Sequence, residues 1–205
     1  MAEQSEVTLR LGGTGDFAAI LEVYAPYVNE TAITFETSVP SLDDFSARLA
    51  GFADTYPLIV AVRDETVAGY AYAHRIGERA AYAWNAELSV YLDSAFRGAG
   101  LGRTLCTALL SLLATQGVRN VFSLITVPND ASIGLHEALG FSLMGIQRQA
   151  GFKCGAWHDV AWYQKQIGSF AGAPQPVIPL PALDASLVEG ILRGEVPSRF
   201  DKAIG

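Results

Sequence analysis

Charge is scarce in this chain, and positive charge scarcer still: 14 lysines and arginines face 21 aspartates and glutamates, for a formal net charge of −7. That acidic excess argues against a nucleic-acid partner, because a phosphate backbone needs a cationic face. Any anionic ligand must be held by helix N-termini and individual arginines. Cysteine is nearly absent. Cys106 and Cys154 lie far apart and outside any metal-ligand spacing, which reads as free thiols in a reducing compartment and offers no metal site. No apolar run approaches the ~20 residues of a membrane span. The polar, acidic start of the chain lacks the basic and apolar regions of a secretory signal. The expectation is a cytoplasmic protein with no membrane partner. With 50% hydrophobic and 17% charged residues, a folded core is expected rather than disorder.

The 205 residues fit a single buried core. Residues 7–11 predict a strand, and Asp16 is placed to cap a helix carrying Phe17, Ile20, Leu21, Tyr24 and Val28 at helical spacing. Ser41 is a second N-cap, followed by Asp43 and Asp44 in the first turn and by Leu42, Phe45 and Leu49. Residues 31–40 connect the two helices. Residues 58–63 and 67–74 read as strands joined by a hairpin turn at 64–66, and residues 84–92 as a longer strand. An amphipathic helix at 99–116, a strand at 121–127, a short helix at 131–139 and strands at 141–147 and 157–166 complete the order β-α-α-β-β-β-α-β-α-β-β. The strand–helix–strand unit across 84–127 predicts two parallel strands joined by a crossover helix.

Composition changes at residue 169. Pro174, Pro176, Pro179 and Pro181 predict an extended segment, and Leu183, Leu187, Val188, Ile191 and Leu192 form an apolar stripe on a terminal helix. The expected division is a domain at 1–168 and an extension at 169–205 that packs on that domain or on a partner subunit.

The most specific motif is Arg97-Gly98-Ala99-Gly100-Leu101-Gly102-Arg103, placed after a strand and opening the long helix. Glycines let the backbone take positive φ and approach a ligand, and the unpaired N–H groups of a helix start suit a pyrophosphate. A Walker A loop would end in Gly-Lys-Ser/Thr, whereas Arg103-Thr104 follows Gly102 here; a Rossmann fingerprint needs different spacing. Before the loop, Glu87 stands among Trp84, Leu88 and Val90, so apolar walls would raise its carboxyl towards the range of a general base. Adjacent His158 and Asp159 point to opposite faces of a strand, which favours structural roles over a dyad. Acyl-cysteine and metal-hydrolase chemistry lack their parts.

The Arg-x-x-Gly-x-Gly/Ala spacing resembles the coenzyme A pyrophosphate loop of the GNAT acetyltransferases, and Asn129-Asp130-Ala131-Ser132 with Leu135-His136-Glu137-Ala138-Leu139-Gly140-Phe141 resembles a second block of that superfamily. Thr34-Phe35-Glu36, Tyr82-Ala83-Trp84, Ser89-Val90-Tyr91, Ala150-Gly151-Phe152-Lys153 and Trp157-His158-Asp159-Val160 narrow the likeness to phosphinothricin and methionine sulfoximine acetyltransferases. The likeness spans about residues 7–166 and part of the proline segment, but not the final helix beyond Ala182.

The resemblance implies an α/β (α+β) GNAT fold, with a mixed, mostly antiparallel sheet of six to seven strands flanked by about four helices. It implies acetyl-CoA as co-substrate, bound by Val90, Tyr91, Leu92, Arg97, Gly98, Ala99, Gly100, Leu101, Gly102, Arg103, Thr104, Asn129 and Ser132. Glu87 would be the base and His136 a hydrogen-bond donor to the leaving sulfur. A backbone N–H within 90–92, freed by a bulge, would polarise the thioester carbonyl. The expected acceptor is the α-amine of a small amino-acid analogue with a tetrahedral head, held by Phe35, Glu36, Arg79 and Tyr82. Gly77 stands where the phosphinothricin enzymes carry a lysine, and Ile76 replaces an aromatic residue, which favours neutral sulfoximine or sulfone heads. Relatives are commonly dimers, so a homodimer is expected. The alternatives are another amine acceptor (a polyamine, an aminoglycoside or a protein N-terminus) and a catalytically idle acetyl-CoA-binding module.

Overall fold

The computed structural model describes residues 6–195; the outermost parts of the expected domain and extension, residues 1–5 and 196–205, lie outside the described residues. Seven strands form one sheet: β1 (Thr8–Leu11), β2 (Leu58–Arg63), β3 (Thr66–Arg75), β4 (Asn85–Leu92), β5 (Asn120–Val127), β6 (Ser142–Lys153) and β7 (Ala156–Gln166). Their spatial order is β1-β2-β3-β4-β5-β7-β6. Every neighbouring pair is antiparallel except β4 and β5, which run parallel around the crossover helix α3 (Leu101–Gln116). The other helices are α1 (Phe17–Glu30), α2 (Leu42–Ala53), α4 (Asp130–Ala138) and α5 (Ala185–Leu192).

Strand alternation divides the core between the two faces of the sheet. Ile59, Ala61, Ala71, Ala73, Ala86 and Leu88 meet Leu105, Leu109 and Leu113 of α3 on one face. Val60 and Tyr70 meet Ile20, Tyr24, Phe45 and Leu49 of α1 and α2 on the other. The small alanines opposite α3 let that leucine-rich helix sit close to the sheet.

Three local expectations are corrected. Asp16 does not cap α1 with its side chain: the carboxylate accepts the Gly13 N–H at 2.8 Å and pairs with Arg10. Helix α3 begins at Leu101 rather than at 99, because Gly100 takes a left-handed φ of 82°. Strand β6 continues past 147 to Lys153, through a register shift between Gln147 and Gly151. Ser41 does cap α2, accepting the Asp44 N–H at 3.1 Å.

The proline segment straps the domain from behind. The Trp84 indole donates to the Gln175 carbonyl at 2.7 Å, and the buried Gln116 amide donates to the carbonyls of Thr55 and Ile178 at 2.6 and 2.8 Å. Helix α5 then buries Val188 and Ile191 in the core that α3 and β1 share.

Candidate active site

The sheet is forked at its centre. β4 and β5 pair only through Asn85–Asn120, Ala86–Val121 and Glu87–Phe122. Beyond that point each strand keeps its own antiparallel partner: β4 follows β3 to Leu92, and β5 follows β7 to Val127. Glu87 is the last paired residue of β4, in the crotch of the fork. The expected bulge is not the cause, since the β3–β4 register runs unbroken and the shifts lie in β2–β3 and β6–β7.

Tyr27 of α1 stands at the open edge instead. Its hydroxyl donates to the Leu92 carbonyl at 2.6 Å and accepts the Leu92 N–H at 3.1 Å. The Asp93 N–H bonds Ala68 of β3, so alternation turns Tyr91 to the β3 side and Val90 to the gap. Of the three residues expected to offer an oxyanion donor, Val90 has its N–H facing the fork.

The fork opens towards the start of α3. Gly98 and Gly100 take φ values of 78° and 82°, and a Cβ at either would meet nothing within 4 Å. Backbone conformation, not crowding, therefore calls for glycine there, and the space before the loop is open. A cleft of about 460 Å³ is lined by Val90, Leu92, Arg97, Gly98, Gly100, Leu101, Gly102 and Arg103 from one side and Asn129 and Ser132 from the other. Tyr27, Ile33, Ala131 and Leu135 complete it.

Ala99 and Thr104 do not line this cleft, and Tyr91 lines only its narrow inner end, with its ring turned away. Ala99 and Thr104 line a smaller cavity behind the loop with Arg63 and Phe96, and the Tyr91 ring packs among Tyr24, Tyr27 and Tyr70. The cleft has what a pyrophosphate-bearing thioester requires: unpaired N–H groups at a helix start, two arginines, and apolar walls for a slender chain. Arg97 is held over the Tyr27 ring at 4.9 Å. Asn129 caps α4 by accepting the Ser132 N–H at 3.2 Å.

Burial pushes the Glu87 carboxyl up, and the imidazole of His74 opposes the rise. The His74 Nε2 lies 3.8 Å from a Glu87 carboxylate oxygen. Sequence reasoning missed His74. It is a lone histidine in the sequence, and the hairpin register sets it across from Glu87.

His136 lies at the narrow inner end of the fork, near Val90, Ser123 and Asn129. It is 2% exposed, and burial lowers its pKa, so the ring is neutral near pH 7. Its Nδ1 is 2.8 Å from the Ser132 carbonyl, which can only accept, so Nδ1 carries the proton. Nε2 is buried and without a partner. The neutral ring therefore presents an acceptor at Nε2, the reverse of the expected donor.

The expected acceptor-binding residues come from two loops. Phe35 lies against Gly151 of β6, and Glu36 pairs with Arg48. Lys153 donates to the Thr34 carbonyl at 2.8 Å and fixes that loop. Arg79 is exposed, and Tyr82 packs over Gly77. Gly77 has φ 81°, and a Cβ there would come within 3.0 Å of the Tyr82 ring, so a lysine at this position would be strained and crowded. Among the described residues no cluster of three His, Cys, Asp or Glu side chains is arranged for a metal, and no helix is long and apolar enough to cross a membrane.

Residues 9–162 match the family model described as the acetyltransferase (GNAT) domain. The phosphinothricin N-acetyltransferase of Streptomyces viridochromogenes is 36% identical over 178 residues, covering 87% of this chain and 97% of its own. The L-methionine sulfoximine/L-methionine sulfone acetyltransferase of Pseudomonas aeruginosa is 36% identical over 174 residues, 82% of this chain and 98% of its own. A crystal structure of a phosphinothricin acetyltransferase from Sinorhizobium meliloti, in complex with AcCoA, superposes with a TM-score of 0.80 at 34% identity, covering 86% of this chain and 97% of that one.

Proposed function

Since the chain belongs to the GNAT acetyltransferase family, we propose that it transfers the acetyl group of acetyl-CoA to the α-amine of a small amino-acid analogue of the methionine sulfoximine, methionine sulfone or phosphinothricin type. One observation carries the mechanistic reading: a carboxylate of raised basicity stands where the sheet forks, and the fork leads to an anion-binding helix start.

Bound acetyl-CoA supplies the acetyl group as a thioester and leaves as the thiol. Arg97, Gly98, Gly100, Leu101, Gly102 and Arg103 would hold its pyrophosphate, with Asn129 and Ser132 on the opposite wall. Glu87 takes a proton from the acceptor's ammonium, freeing the lone pair that attacks. The Val90 N–H, which faces the fork, would be the donor available to the charge developing on the thioester carbonyl oxygen. His136 accepts a hydrogen bond at Nε2 and so orients what lies at the inner end.

Phe35 and Tyr82 wall the acceptor side, Glu36 attracts its cation, and Arg79 pairs with its carboxylate or polar head through the planar guanidinium fork. With Gly77 contributing no cation, the doubly acidic phosphinothricin loses most. A panel assay following thiol release should give a higher kcat/KM for methionine sulfoximine or sulfone than for phosphinothricin, and a large loss for all in Arg79→Ala. The reverse order would remove the role given to Gly77, and activity on none of the three would remove this acceptor class.

The protein acts as a homodimer in this reading. Strand β6 ends the sheet and leaves Leu143, Met144 and Ile146 exposed, with Phe152 and Trp157 beside each other at the hairpin end. Such a free apolar edge calls for a cover. Light scattering at micromolar concentration should give twice the chain mass.

A further inference from the structure

Acetylation of an ammonium has a proton surplus. R–NH3⁺ loses two protons in becoming the amide; the thiolate takes one and the other goes to solvent. The base must therefore return to its ionised form in every turnover, and burial works against that at Glu87.

We propose that His74 is a positioning residue for this reaction, acting through Glu87: its ring is held so that Nε2 faces the Glu87 carboxylate in the fork. The inference rests on Glu87 being the base. Three observations support it. The two residues are direct cross-strand partners, so their side chains share one face of the sheet. The His74 ring is fixed: Nδ1 donates to the Arg75 carbonyl at 3.1 Å, and the rings of Tyr72 and Phe52 flank it at 6.0 and 6.3 Å. Nε2 is left as the atom that meets the carboxylate, at 3.8 Å.

The surrounding groups offer no substitute. Tyr72 of β3 is pushed up to about 12 by burial, and Tyr91 of β4 is pushed up as well, so both are neutral where the enzyme works. Arg48 of α2 is committed to Glu36. The imidazole of His74 opposes the upward push of burial on Glu87; without it burial acts alone, and the carboxyl stays protonated to higher pH.

The experiment is the pH dependence of kcat/KM in His74→Gln and His74→Lys, with Glu87→Gln measured beside them. His74→Gln should move the acid limb upward by about half to one pH unit, a loss of roughly three- to tenfold at a fixed pH on that limb. The plateau above the limb and the affinity for acetyl-CoA should match the wild type. His74→Lys, which places a cation beside the carboxylate, should return the limb to the wild-type position or below it. An unmoved limb in His74→Gln, or an equal loss at every pH, overturns the proposal. If Glu87→Gln keeps its turnover, the base assignment fails and this inference with it. If Glu87→Gln is inactive and the limb stays put, the inference about His74 fails alone.

Discussion

The two arms of the forked sheet treat a buried ionisable group in opposite ways. On the β3–β4 arm, Glu87 faces an aromatic wall with His74 across from it, so the penalty on its charge is partly relieved by another side chain. On the β5 arm, α4 holds His136 buried, its ring against the Ser132 carbonyl and hydroxyl and the edge of Phe141. Burial raises the carboxyl and lowers the imidazole, so both move towards neutrality. The first arm thus supplies a stronger base with a route to solvent. The second supplies a fixed, uncharged acceptor. Their spacing is kept by backbone pairing below the fork and by Tyr27 above it.

The largest test of this division is Glu87→Gln. Turnover should fall about 10²-fold or more, the usual contribution of a general base. Calorimetry should show unchanged acetyl-CoA binding, because Glu87 is not among the residues lining the cleft. Equal losses in binding and turnover would make the crotch of the fork part of the cofactor site and end the contrast. Next in size is Gly100→Asp. It places a carboxylate before the start of α3 and strains a residue at φ 82°. Acetyl-CoA affinity should fall by about tenfold or more, and unchanged affinity would move the phosphates away from the loop.

The glycine-loop side of the fork was legible in the sequence because it is local. A strand, glycines and a helix in succession are contiguous, and backbone physics dictates their use. The parts that were not legible depend on distant pairings. Tyr27 belongs to a helix 65 residues before the Leu92 it holds, and His74 acquires its role from a register that neither strand states alone. Tyr91 and Thr104 sit inside correctly read elements but point elsewhere, since a strand alternates faces and a helix rotates its residues away from the loop. The expected donor at His136 failed for a similar reason: the tautomer is set by the Ser132 carbonyl one turn back, and a residue name does not reveal it. The strap shows the same limit. Its prolines announce an extended segment, but its anchoring by Trp84 and Gln116 exists in three dimensions alone.

The smallest expected effect separates the arms by sign. His136 has a folded pKa below its ordinary value of 6.5, so the native state resists a proton that the unfolded chain accepts. Its stabilising contribution is complete above about pH 6.5 and is lost as pH falls through the depressed value. Glu87 has a folded pKa above its ordinary 4.5, so the native state holds a proton longer than the unfolded chain; its contribution is present below that value and is lost as pH rises through the raised one. Over the mildly acidic range the two slopes therefore oppose each other. Asp16 and Asp159, both held below 3.8 by hydrogen bonds to Arg10 and to the Gln149 N–H, lose their contributions at still lower pH and do not confuse the window. Thermal melts from pH 7 downward should accordingly show a shallower decline in His136→Phe than in the wild type, since one source of acid destabilisation is gone. Glu87→Gln should show a steeper decline, since its compensating gain is gone. Parallel curves for both variants would mean that neither group changes its proton affinity on folding, and the contrast between the arms would then be one of geometry alone.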